Sequence, residues 1–293
     1  DHRDLHSFPT RRSSDLLWWG CIPKKALYHA ATVARTLRAA EQFGSACLDI
    51  ERDWQTVLAW KWHSQETYAG DQQSILASAG ISLAEGTARF LSPDEVEIGG
   101  ERRSPDHIVI ATGSRAIIPP FEGAELADTS DDVLRYPEVP ESLTVIGGGF
   151  IAMEMVGIYA SFGTRITVVE AADRILKMLD ADLGDVARRR LEAMGVRFLT
   201  SCRATRIEGE RGGLRTAVTD AGGAEMILES ERVLLAVGRK PAFDKLDLEA
   251  GGIKTDERGM LILDQFQRTT NPKVWAVGDA TGGMMQTPIA AAE

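Results

Sequence analysis

The sequence predicts an α/β fold in which parallel strands end at glycine-rich turns, and three observations carry the prediction. A strand–glycine–helix–strand unit occupies residues 143–170, LTVIGGGFIAMEMVGIYASFGTRITVVE. Three further apolar segments, Ile108–Ala111, Val233–Val237 and Val274–Val277, run into Gly113, Gly238 and Gly278, as strands do at the ligand edge of a parallel sheet. Residues 203–235 alternate apolar and polar around the Gly212-Gly213 and Gly222-Gly223 turns, the pattern of a small antiparallel meander. At 293 residues the length favours about two domains.

Bulk properties exclude several classes. Hydrophobic content of 44% and charged content of 26% are ordinary for a globular chain. A net charge of −10 argues against nucleic acid as a partner. No apolar run approaches the ~20 residues that span a bilayer. Three scattered cysteines, Cys21, Cys47 and Cys202, do not make a disulfide scaffold and favour a reducing cytoplasm. Nothing in their spacing suggests a metal site.

Taken in order, residues 1–16 (DHRDLHSFPTRRSSDL) are polar and aperiodic. They lack the apolar centre of a signal peptide. They resemble translated linker sequence, with a natural disordered arm as the alternative, and are expected to pack poorly. From Ile22 to about Phe43, Ala26, Ala30, Val33, Ala34 and Leu37 fall at helical spacing, in a helix entered through Pro23. A second helix is expected over Ile50–Ala79, then strands Ser82–Phe90 and Glu95–Ile98. Pro119-Pro120 and Pro137/Pro140 bracket a linker-like stretch and place a domain boundary. Leu143–Ile146 is a buried strand, Phe150–Phe162 a helix stopped by Gly163, and Ile166–Val169 a strand. Asp182–Met194 is a helix closed by Gly195, followed by strand Val196–Leu199.

The 143–170 unit points to a dinucleotide. A lone G-x-G-x-x-G is weak evidence, but here it lies between strand and helix, and Glu170 follows Gly147 by 23 positions, close to the expected ~20. Gly147 permits the tight turn, Gly149 lets the backbone approach a pyrophosphate, and Ala152 is the small residue where helix meets strand. Gly148 and Ile151 complete the loop, and the helix N-terminus offers N–H groups and a positive dipole end. Glu170 is expected to accept from the adenosine ribose and to repel a 2′-phosphate, which favours NAD over NADP. A Gly-rich turn in a structural α/β unit, with Glu170 merely solvated, is the alternative. On the ribose reading, Glu170→Arg shifts preference toward NADP.

Gly20-Cys21-Ile22-Pro23-Lys24-Lys25 opens the first helix. A thiol at a helix N-terminus beside two lysines suits redox or nucleophilic work; an ordinary small residue at a helix start stays equally open on these grounds. These residues resemble the second half of the redox-active motif of the class I pyridine nucleotide–disulfide oxidoreductases, which include dihydrolipoamide dehydrogenase, glutathione reductase and mercuric reductase. Further similarities follow in the family's order: Ala111-Thr112-Gly113-Ser114-Arg115, the Gly147–Glu154 loop with Glu170, Ala236-Val237-Gly238-Arg239-Lys240-Pro241, and Ala276-Val277-Gly278-Asp279. Five such motifs in order, across residues 17–293, make the resemblance specific.

The resemblance implies two Rossmann-like three-layer dinucleotide-binding domains, each with a small antiparallel meander. The NAD domain (120–245) is inserted in an FAD domain (17–119 and 246–293). FAD is the implied second cofactor, with Asp279 on the flavin's ribityl chain, Gly113, Gly238 and Gly278 lining cofactor sites, and Thr287 near the isoalloxazine. A lysine after Cys21 pairs with Glu154 near the flavin. Spacing favours Lys25 on one family pattern, while the double lysine leaves Lys24 open, and a plain surface ion pair is the alternative. The implied mechanism passes hydride between NAD(H) and flavin, then electrons to a disulfide containing Cys21, which exchanges with a small-molecule or protein-bound disulfide or dithiol in a homodimer.

The sequence departs from that pattern. The family's C-x4-C places a cysteine where Leu16 stands, at the edge of the linker-like segment. No strand–GxGxxG–helix precedes Cys21, and the chain stops at Glu293, soon after Gly278-Asp279. The expectation is therefore a truncated parent oxidoreductase with impaired FAD binding. Two other readings stay open: a non-catalytic NAD-binding module, and a single-cysteine peroxide or NADH oxidase type in which Cys21 cycles through sulfenic acid. The substrate is not legible. Trp18-Trp19 fits neither the dihydrolipoamide dehydrogenase nor the glutathione reductase pattern well and resembles uncharacterised mercuric-reductase-like members; packing is the alternative.

Overall fold

A computed structural model describes residues 18–40, 43–44 and 53–292 of the chain. The linker-like segment 1–16, the Leu16 position and Cys47 lie outside the described residues. In chain order the elements are α1 (Cys21–Ala40), α2 (Trp54–Ser78), β1 (Ala88–Ser92), β2 (Glu95–Ile98), β3 (Glu101–Arg103), β4 (Ile108–Ile110) and β5 (Ser114–Ala116). Then come α3 (Ser130–Val133), β6 (Ser142–Ile146), α4 (Phe150–Phe162), β7 (Arg165–Val169), α5 (Ala181–Glu192), β8 (Arg197–Leu199), β9 (Cys202–Glu210), β10 (Gly213–Asp220), β11 (Glu225–Ser230), β12 (Arg232–Leu235), β13 (Arg239–Pro241), β14 (Val274–Ala276) and α6 (Thr287–Ala292). Among the described residues no helix is long and apolar enough to cross a membrane.

The chain divides into two compact units. One comprises Leu17–Tyr68 and Ala116–Gly238; the other includes Ala69–Arg115 and Arg239–Glu293. The first unit is built on a parallel sheet of order β12-β6-β7-β8. Alternation along its strands separates two apolar layers, as a pleated strand requires. Leu143 and Val145 of β6, Ile166 and Val168 of β7, and Leu234 of β12 join the core of α1, α2 and α4. Ile146, Val233 and Leu235 face the other way, onto Ile207 and Leu214 of the antiparallel β9–β10–β11 meander. Val169 of β7 packs there on Cys202, Val218 and Leu228. This is the three-layer arrangement expected for a dinucleotide domain.

The second unit holds a parallel β4–β14 pair, a β5–β13 pair and the antiparallel β1–β2–β3 meander. Phe90, Ile110, Leu246, Ile253, Val274 and Ala276 form its core. Its segments 69–115 and 239–292 flank residues 116–238 in sequence, and both units are discontinuous along the chain.

The division differs from the expected boundaries at 119/120 and 245/246. Residues 17–68 fall with the nucleotide unit, because Leu27 and Ala31 of α1 and Trp54 and Leu58 of α2 bury against Val156, Ile158 and Tyr159. The strand expected over Ser82–Phe90 begins only at Ala88, after an exposed irregular stretch. Gly86 there lies so close to Gly99 that any Cβ would sit 2.6 Å from its Cα, which holds a tight backbone crossing instead of a straight strand.

Candidate functional site

The loop after β6 is fixed by backbone contacts before any ligand is considered. Gly147 has φ +112°, and a Cβ on it would lie 2.3 Å from the Ala236 carbonyl oxygen at the end of the neighbouring strand β12. Only glycine fits. Its N–H donates to Val169 O at 2.8 Å, so the turn is tied to both flanking strands. Gly149 precedes α4 in extended conformation, with φ −76°, and offers no side-chain cap. The first-turn N–H groups of Phe150, Ile151 and Ala152 have no intrahelical acceptor, and a Cβ at Gly149 would meet nothing within 4 Å. Ala152 is completely buried against the sheet. A helix N-terminus with small residues in front of it suits a pyrophosphate.

Glu170 stands at the end of β7, beside this loop. Its Oε2 accepts from Gly148 N–H at 2.5 Å and its Oε1 from Ala172 N–H at 2.6 Å. The carboxylate is thus bound into the loop by the chain's own backbone and is not merely solvated. A carboxylate has lone pairs for further donors, and ribose hydroxyls are of that kind. The arginine next along the chain, Arg174, points its Nη2 at the carbonyls of Lys177 and Leu179, at 3.1 and 2.9 Å. Ala171 and Ala172 carry no charge.

Cys21 is the first residue of α1 and half-buried. From there α1 runs beside α4 in the same direction: Lys24 meets Glu154, Arg35 Nη1 donates to Ser161 Oγ at 3.0 Å, and Arg38 lies next to Gly163. Lys24 Nζ is 2.5 Å from Glu154 Oε1, with side chains 19% and 38% exposed. This corrects the pairing that spacing favoured. Lys25 is exposed, because helical periodicity turns it away from α4 while Lys24 shares the face of Leu27 and Ala31.

In the other unit, motifs far apart in sequence converge on one hydroxyl. Ser114, completely buried, donates from Oγ to Asp279 Oδ2 at 2.5 Å and accepts from Arg239 Nε at 2.8 Å. Arg239 Nη2 also donates to the Ser114 carbonyl at 2.8 Å. The neighbouring Arg115 pairs with Asp244 and holds that carboxyl below the usual carboxylate range. Gly113, at φ +69°, accepts from Ala242 N–H. Gly278 and Asp279 open a tight 3-10 turn against α6, the helix that Thr287 begins. Gly238, at φ +136°, closes the nucleotide unit, its carbonyl accepting from Ile117 N–H at 3.0 Å.

Sequence reasoning quoted Ser114 and Arg239 within motifs but assigned them no role, since nothing local shows that they meet. It also passed over two buried polar groups of the nucleotide unit. Lys61, 1% exposed, donates to Leu134 O at 2.6 Å and lies over the Trp62 ring. Burial, then the charge of Arg135, push its pKa down to about 7. Asp128, 2% exposed, accepts from Tyr136 Oη and from Arg211 Nη2, both at 2.8 Å. Burial and that carboxylate raise the Tyr136 phenol far above its ordinary range. The Trp18-Trp19 pair is held in the same region: Arg135 stacks over Trp19, and Gln65 Nε2 donates to Trp18 O. No group of three or more metal-ligating side chains occurs among the described residues.

Known proteins resemble this chain along most of its length. The family model described as pyridine nucleotide-disulphide oxidoreductase matches residues 10–293. A dihydrolipoyl dehydrogenase of Haloferax volcanii is 37% identical over 270 residues, covering 89% of this chain and 57% of that protein. A glutathione reductase of Burkholderia cepacia is 31% identical, covering 92% and 60%. The solved structure of the HOCl-induced flavoprotein disulfide reductase RclA from Escherichia coli superposes with a TM-score of 0.84 at 27% identity, covering 98% of this chain and 62% of that one. The chain thus spans about three fifths of the length of these relatives, and it belongs to the pyridine nucleotide–disulphide oxidoreductase family.

Proposed function

We propose that the unit containing residues 143–170 binds NAD(H), and that the whole protein uses it in FAD-dependent disulfide reduction or dithiol oxidation. The observation that carries the reading is the Gly147–Gly149 turn at the α4 N-terminus with the Glu170 carboxylate beside it. NAD over NADP follows from charge. A 2′-phosphate would meet Glu170, and Arg174, the nearest cation along the chain, turns one terminal nitrogen onto two backbone carbonyls and buries the other. FAD fits the other unit by the chemistry of its donor set: the Asp279 carboxylate accepts hydroxyls such as a ribityl chain carries, and Ser114 and Arg239 hold it in place.

When bound, the two cofactors supply hydride and electron-pair transfer. The chain's own residues supply position and protons. The first turn of α4 neutralises pyrophosphate charge, Ala152 admits close helix packing, and Lys24 with Glu154 joins the Cys21 helix to the nucleotide helix. Cys21 would be the flavin-proximal sulfur of a redox disulfide, and the cysteine that exchanges with substrate falls, on the family pattern, where this chain has Leu16. The substrate class is a small-molecule or protein-bound disulfide or dithiol, the assembly a homodimer, and the compartment a reducing one such as the cytoplasm.

The test is direct. Titrating the full chain with NADH and with NADPH, followed by nucleotide fluorescence, is expected to show saturable NADH binding at least ten-fold tighter than NADPH. Equal affinities would remove the NAD assignment, and no binding of either would remove the site. Alkylation of Cys21 by iodoacetamide is expected to leave NADH affinity within two-fold, because the thiol belongs to the electron-transfer step and not to the dinucleotide site.

A further inference from the structure

The G-x-G-x-x-G pattern leaves its second position free, yet here that position is Gly148, and it is buried. Two neighbours explain why. A Cβ on Gly148 would sit 2.8 Å from Glu170 Oε2 and 3.1 Å from Ile175 Cγ2. The Glu170 carboxylate occupies the space a side chain would take. Its oxygens hold two separate pieces of backbone, Gly148 N–H on the loop and Ala172 N–H on the turn after β7. The Gly148 carbonyl closes the arrangement by accepting from Leu176 N–H at 2.8 Å. Backbone anchors fix Glu170 itself, since its N–H donates to Leu199 O at 2.8 Å and its carbonyl accepts from Cys202 N–H at 3.0 Å.

From this geometry we infer that Glu170 is a positioning residue for the phosphate-binding loop, clamping Gly148 to the 171–176 turn, in addition to any contact with ribose. The inference rests on the NAD(H) site proposed above and extends it. A carboxylate accepting two N–H groups is a charge-assisted clamp, and neither glutamine nor arginine replaces it. Glutamine sets an NH2 donor against one of the two backbone donors. Arginine has no acceptor at all. Glu170→Arg therefore releases the loop instead of converting the site to NADP, contrary to what a ribose-only role predicts.

The experiment separates the two roles with a ligand. The full chain and its Glu170→Gln, Glu170→Arg and Gly148→Ala variants are titrated with NADH, NADPH and an NADH analogue lacking the adenosine 2′-hydroxyl. A clamp role weakens all three variants toward NADH and toward the deoxy analogue alike, by about ten-fold or more, with no gain toward NADPH. Weakening confined to ligands with the 2′-hydroxyl, or tighter NADPH binding by Glu170→Arg, overturns the inference. Failure of the unsubstituted chain to bind NADH overturns the site reading and this inference with it. Amide hydrogen exchange on the unsubstituted chain covers the case in which a variant does not fold. Protected Gly148 and Ala172 amides support the clamp, and exchange at the rate of a free chain overturns it.

Discussion

Lys61 shows how a single residue escapes a reading of periodicity. The buried positions of α2 are Trp54, Leu58, Lys61 and Gln65, a helical stripe at i, i+4, i+7 and i+11. Two of its four members are polar, so the apolar stripe breaks off after one turn even though the burial stripe continues. The consequence is measurable. In the unfolded chain Lys61 holds its proton up to about pH 10.5, and in the folded chain burial releases it near pH 7. Between those values the unfolded state binds more protons, so stability rises with pH across that window, and below pH 7 the penalty of a buried charge is fully present. Urea unfolding of Lys61→Met at pH 6 to 10 is expected to show a flatter dependence than the parent chain; an unchanged slope would refute the assignment. The Lys24–Glu154 pair belongs to the same scale. It is too exposed to exceed about 1 kcal/mol, so Lys24→Met is expected to lower the unfolding free energy by no more than that. Lys25→Met should change it by less than about 0.5 kcal/mol. A larger loss at Lys25 would reverse the pairing.

At the scale of elements, legibility follows the range of the interactions. The bounds of α4 were readable because a glycine stands at each end, Gly149 extended and Gly163 left-handed, with φ +100°. Parallel strands β6, β7 and β12 were readable as short apolar runs buried on both faces. The placement of α1 and α2 was not, because which core an amphipathic helix covers is decided by partners more than a hundred residues away, such as Ser161 for Arg35. The same holds for Ser114, whose partners Asp279 and Arg239 lie 165 and 125 positions distant. That hydroxyl links β5, β13 and the turn after β14. Ser114→Ala removes the buried hydroxyl that the half-buried Arg239 guanidinium and Asp279 carboxylate share, a loss of about 1–3 kcal/mol. Denaturant midpoints read by far-UV circular dichroism check it, and an effect under 0.5 kcal/mol would mean that the Arg239 contact to the Ser114 carbonyl suffices alone.

For the whole molecule, the division into two units has an energetic consequence that ligand binding exposes. Each unit has its own apolar core, Val145, Val156 and Ile158 in one and Phe90, Ile110 and Val274 in the other. All the groups assigned to NAD(H), from Gly147 to Glu170, belong to the first. A ligand that binds only the folded form of a unit stabilises it by RT ln(1 + [L]/Kd), about 2.7 kcal/mol at a hundred-fold excess over Kd. That free energy is expected to appear as slower hydrogen exchange in β6, α4 and β7, where opening must release the nucleotide. Residues of β1–β3, whose Phe90 and Val96 belong to the second core, are expected to keep their exchange rates, because their local opening leaves the NAD(H) groups in place. Mass-resolved exchange with and without NADH distinguishes the outcomes. Protection confined to 142–172 supports both the site and the division. Equal protection across 88–103 would show that the chain opens as a single cooperative body and that two separate cores do not mean two separate units of stability. No added protection anywhere would place the nucleotide elsewhere or nowhere, and would remove the NAD(H) reading from this loop.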